Sequence, residues 1–138
     1  MKPTALFVAL LVTTAPLAFA APTPYLILDH STSMLMDDAT AKPVWQENLS
    51  TKLGKTYSEK RWGFVSEVEG GFDDPKVCVV TARAMMLPRS GKNLVFRPAK
   101  TATAYGTEVG ATAEQCKALA KLKLGEAVRA ISVALTVR

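Results

Sequence analysis

Histidine and cysteine are scarce in this chain: of 138 residues, only His30 carries an imidazole, and only Cys78 and Cys116 are cysteines. Each scarcity excludes a class of chemistry. A histidine-dependent hydrolase has only His30 to use. Its neighbours Asp29 and Ser31 do not make a triad, because triad members meet with the imidazole between them and successive side chains at a strand end diverge. One imidazole and no Cys-x-x-Cys pair is too little for a tetrahedral zinc site. The glycines fall where turns need them, and no phosphate-cradling loop is present. Aromatic residues make up 7% of the chain and are not interleaved with a dense Lys/Arg run, which argues against a nucleic-acid surface. After residue 20 no apolar stretch is long enough to span a bilayer. With 49% apolar and 21% charged residues, the chain is not a collagen, a coiled coil or a disordered tail.

What is present begins with an export signal over residues 1–20. Lys2 supplies the positive start, residues 5–15 are apolar, and Ala18-Phe19-Ala20 is a small-x-small cleavage site. Those apolar residues reach about 16 Å as a helix, short of a hydrocarbon core of about 30 Å. The sequence therefore predicts cleavage near Ala20 and a periplasmic or secreted product, with residues 21–138 as a single domain and no transmembrane segment. In an oxidising compartment Cys78 and Cys116 are expected to form a structural disulfide.

Charge is unevenly placed. Residues 21–75 hold 5 Lys/Arg against 9 Asp/Glu, while residues 76–138 hold 11 against 3. Folding that brings an acidic element beside a basic one neutralises such a split.

Periodicity predicts an α+β fold: an antiparallel meander of about four or five strands packed against two helices, with one disulfide. Tyr25-Leu26-Ile27-Leu28 reads as a buried strand leading into a polar turn. Residues 39–57 read as a helix with Val44, Trp45, Leu49 and Leu53 on one stripe, Pro43 in its first turn and Gly54 near its end. Residues 62–72 alternate, with Trp62, Phe64, Val68 and Phe72 inward, and Asp73-Asp74-Pro75-Lys76 supplies a turn. Residues 77–87 put Cys78, Val80, Ala82, Ala84 and Met86 inward. Pro88 to Asn93 reads as a second turn. Residues 94–105 follow as a third strand with Leu94 and Phe96 inward, Arg97 outward and Pro98 at an edge or bulge. Glu67 and Glu69 are placed to meet Arg83 across the first pair. Thr112-Ala113-Glu114-Gln115 is a capping box opening a helix that buries Cys116, Leu119, Ala120, Leu124, Ala127 and Val128, with Gly125 as a weak point. Ile131, Val133, Leu135 and Val137 alternate with smaller residues and suggest a final strand.

One segment carries a chemical pattern. Leu26-Ile27-Leu28-Asp29-His30-Ser31-Thr32-Ser33-Met34 is an apolar strand followed by Asp-x-Ser-x-Ser. It resembles the metal-ion-dependent adhesion site of von Willebrand A domains. The resemblance implies Asp29, Ser31 and Ser33 as oxygen ligands of Mg²⁺ or another divalent cation, beside a distant threonine, for which Thr107 is a candidate, and a distant aspartate that the pattern does not place. Hard oxygen donors suit that ion. The same residues equally suit a strand-end turn in which the carboxylate and hydroxyls satisfy local donors. The carboxylate pairs Asp37-Asp38 and Asp73-Asp74 suit acid–base work or, equally, a helix start and a turn. The expected function is that of a small exported non-enzymatic protein, a binding or inhibitor protein for another envelope or secreted protein, with no cofactor. A cation-dependent ligand-binding module and a small hydrolase are the alternatives.

Overall fold

The computed structural model describes residues 25–73 and 76–137. The expected export signal and the Asp74-Pro75 half of the first turn lie outside them. The elements run β1 (Ile27–Asp29), α1 (Asp38–Asn48), α2 (Leu53–Thr56), β2 (Trp62–Asp73), β3 (Val77–Ser90), β4 (Asn93–Leu94), β5 (Lys100–Val109) and α3 (Ala113–Thr136). This is the expected α+β fold, with the helices packed on one face of a curled sheet.

The sheet is mixed rather than purely antiparallel. β2, β3 and β5 form the antiparallel meander, but β1 lies parallel to β2, with Ile27 opposite Phe64 and Asp29 opposite Ser66. The reason is the connection: α1 and α2 lie between β1 and β2, and a helical crossover returns the chain to run in the same direction. A long β2–β3 hairpin forms the centre, in register from Trp62 opposite Pro88 to Asp73 opposite Val77. The inward face of β3 is as the alternation requires, since Cys78, Val80, Ala82, Ala84 and Met86 are all buried under the helices. On the opposite face Val65, Met85 and Leu87 form a smaller cluster beneath Leu94. The Arg83 guanidinium reaches Glu67 at 3.0 Å, joining the acidic and basic halves of the chain; exposed as it is, the pair adds a few tenths of a kcal/mol at most.

Several expected boundaries move. The helix predicted over 39–57 is two helices, because Leu49 turns extended and ends α1. The break is bonded: Ser50 donates its N–H to Ser132 Oγ at 3.2 Å, and its carbonyl accepts from Tyr25 Oη at 2.6 Å. Val44, Trp45, Leu49 and Leu53 are nevertheless all buried. Pro43 lies inside α1 rather than in its first turn, because the helix starts earlier, capped by Asp37. β3 runs through Pro88 to Ser90, so the second turn tightens to Gly91-Lys92. The third strand is divided into β4 and β5, and residues 95–99 between them leave the ladder; they include Pro98, which has no N–H to donate to one. Phe96 falls in that excursion and is 63% exposed instead of inward.

The last segment is helix, not strand. α3 continues to Thr136, with Leu124, Ala127, Val128, Ile131 and Leu135 buried at helical spacing. It opens with the full capping box, Thr112 Oγ1 accepting from the Gln115 N–H and Gln115 Oε1 accepting from the Thr112 N–H. Gly125 does not interrupt it. A methyl group there would meet Arg129 Nη1, Asn48 Nδ2 and Val44 Cγ1 at 3.4, 3.7 and 3.8 Å, ordinary contact distances. Gly125→Ala is therefore expected to stabilise the fold, by up to about 1 kcal/mol from helix propensity. Chemical denaturation of the two proteins checks this, and a lower midpoint for the variant contradicts the packing described.

Candidate functional site

Three chain segments meet at the end of the sheet where β1 stops. The first is the loop from His30 to Asp37. Its N–H groups at His30 and Thr32 donate to Ser66 and Val68 carbonyls, both at 2.9 Å, so the chain keeps alongside β2 beyond β1 itself. A turn then follows, with Leu35 and Met36 N–H groups donating to the Thr32 carbonyl; it sends Leu35 and Met36 inward and leaves Met34 64% exposed. The second segment is the Gly70-Gly71-Phe72 end of β2, and the third is the Gly110-Ala111-Thr112 link into α3.

Phe72 shares the inward parity of Phe64 and Val68 and was expected to be buried. It is 47% exposed, because α3 begins beside it rather than over it. It lines several hollows at this end of the sheet, two of which also reach α3 or the link into it. One, of about 270 Å³, is lined by Ser33, Met34, Leu35, Ala113, Cys116 and Lys117. The other, of about 400 Å³, is lined by Lys76 and residues 110–112. Cys116 at the floor of the first hollow is bonded to Cys78, with Cα atoms 5.6 Å apart, as two half-cystines require. The expected disulfide thus ties the first turn of α3 to the start of β3. At the rim, Asp37 caps α1 by accepting from the Thr40 N–H at 2.8 Å. Hydrogen bonds from the Thr40 hydroxyl and N–H hold the Asp37 carboxyl below its usual range, with the nearby Lys117 charge adding to the effect. Asp38 pairs with Lys42 one turn along the helix. Both acids of this pair thus serve the start of α1.

Of the three oxygens implied as ligands, the fold joins Asp29 and Ser31. Asp29 Oδ1 accepts from Ser31 Oγ at 2.6 Å and from Ser66 Oγ at 2.7 Å, and Ser31 Oγ accepts from the Val68 N–H at 2.9 Å. The third oxygen at Asp29 is therefore that of buried Ser66, not of Ser33, which lies in the following turn beside Met34. Ser66 was missed because one serine among apolar strand residues carries no motif; its inward parity and its place opposite Asp29 are its only signals. The arrangement fastens the end of β1 to β2. Asp29→Ala leaves the Ser66 hydroxyl without its carboxylate and is expected to cost about 1–3 kcal/mol in denaturation experiments. Calorimetric titration of the chain without residues 1–20 with Mg²⁺, Mn²⁺ and Ca²⁺ is expected to give no saturating heat. A saturating isotherm abolished by Asp29→Asn establishes the cation site instead.

His30 takes no part in that network. Its imidazole stacks parallel on Phe96, with ring centroids 6.0 Å apart. Thr107 lies on β5, two strands beyond the one that holds Ser66. Among the described residues, no three His, Cys, Asp or Glu side chains gather as a metal cluster, and no helix is long and apolar enough to cross a membrane. Neither a protein-family model nor a curated protein sequence matches this chain.

Proposed function

We propose that this is an exported, non-enzymatic interaction protein that takes an apolar side chain of a partner protein into the cleft beside Phe72. The observation that carries the reading is the exposed pair Met34 and Phe72, which together line one hollow, with Phe72 also lining its neighbour. A large apolar side chain beside receptive hollows is the kind of feature from which protein interfaces draw most of their binding energy. The Cys78–Cys116 bridge supports a location in an oxidising compartment, the envelope or the exterior.

A photo-crosslinking residue placed at Phe72 in exporting cells tests the proposal. It is expected to give one protein adduct that is missing when the probe sits at exposed Leu122, and that Met34→Asp removes without unfolding the chain. No adduct at Phe72, or the same adducts at both positions, overturns the reading. The N-terminal sequence of the recovered protein is expected to start at Ala21.

A further inference from the structure

We propose that the protein dimerises about a two-fold axis through β5, the strand pairing antiparallel with β5 of a second copy. Among the described residues β5 pairs with β3 alone, so one side of this ten-residue strand presents unpaired backbone N–H and C=O groups. Such an edge recruits another strand unless its side chains prevent it. The strand Lys-Thr-Ala-Thr-Ala-Tyr-Gly-Thr-Glu-Val contains no proline.

The side chains select which strand is accepted. Directly opposed residues in an antiparallel pair share a face of the sheet. Keeping the helices of both copies on the same side therefore requires even-numbered residues to oppose even-numbered ones. Pairing about Ala104 meets this condition and sets Lys100 opposite Glu108 of the second copy, twice over by symmetry. Neither Lys100 nor Glu108 has an ion-pair partner among the described residues of its own chain. In the same register Ala102 opposes Gly106, small against small. On the open face Thr101 opposes Thr107, and Thr103 opposes Tyr105, pairings that favour sheet formation. Sliding the register by two residues sets Lys100 against Gly106 or Gly110 and leaves both charges unmatched. The edge is thus guarded at its two ends by charges that its own antiparallel copy satisfies. An isologous contact of this kind also closes, with no edge of β5 left to extend it.

Sedimentation equilibrium over a wide concentration range is the test, on the chain without residues 1–20. The expected result is a reversible monomer–dimer equilibrium. Glu108→Lys places like charges opposite each other twice and is expected to weaken dimerisation by roughly tenfold or more. The exchange Lys100→Glu with Glu108→Lys is expected to restore it. Both substitutions lie on an edge strand, and unchanged circular dichroism and melting confirm that the fold is kept. A monomer at every concentration overturns the proposal, as does a dimer indifferent to Glu108→Lys or one that the exchange does not restore.

Discussion

Replacing Cys78 and Cys116 together by alanine is expected to lower stability by roughly 4 kcal/mol, the loop-closure value for half-cystines separated by 38 residues. For a domain of this size that corresponds to a fall in melting temperature on the order of 15 °C. The effect is read by thermal unfolding of the oxidised protein against the double variant. Both half-cystines are buried, and β3 and α3 each contribute a long apolar face around them, so the variant retains a core to fold upon. A loss below about 1 kcal/mol means that the unfolded chain already holds these segments together, leaving the bridge little entropy to remove.

Gly70→Ala is expected to be comparably severe, for a different reason. Gly70 sits in β2 at φ 132°, a conformation that side-chain-bearing residues rarely adopt, and an added Cβ would strike the Val79 carbonyl on the partner strand. Backbone strain and a clash with main-chain atoms in the central hairpin add up to a loss of about 3 kcal/mol or more. Gly71→Ala is the internal control. Its φ of 150° is similarly unusual, but an added Cβ there meets nothing within 4 Å. It is expected to cost about 1–2 kcal/mol, from strain alone. Denaturant midpoints that rank the two variants the other way contradict the close approach of β2 to Val79.

The parts of the fold that were readable in the sequence were those in which one face meets the core and the other meets water. The inward positions of β3 are all apolar or cysteine, and its middle shows the contrast best, with polar Thr81 and Arg83 outward; further along, Met85 and Leu87 are buried on the other face as well. The start of α3 was legible because capping is local chemistry, carried by Thr112 and Gln115. Where local pattern is shared by two structures, the reading failed. Residues 131–137 alternate in hydrophobicity, yet Leu124, Val128, Ile131 and Leu135 also form a helical stripe, and continuity with the preceding helix decides between them. The direction of β1 has no local signature at all, since a parallel neighbour is imposed by the crossover through α1. Phe72 and Phe96 were placed inward on parity, but parity alone does not bury a residue: Phe72 is at the open end of β2, and Phe96 is in no strand, since it falls in the excursion between β4 and β5. For the same reason the cleft at Phe72 could not be foreseen from sequence, although Asp29, Ser31 and Cys116, singled out on other grounds, all lie close to that end of the molecule.

The covalent tie divides the polypeptide into a closed ring and two free arms. The ring holds most of β3, all of β4 and β5, and the entry to α3; the arms are the segment before Cys78 and the rest of α3 after Cys116. A protease that cuts the exposed excursion at residues 95–97 opens the ring without releasing a fragment, because both products stay joined through sulfur. Tension applied at the two ends, as a partner anchored elsewhere would apply it, unravels the arms and stops at the ring. Under either insult the segments between the half-cystines therefore stay linked to one another.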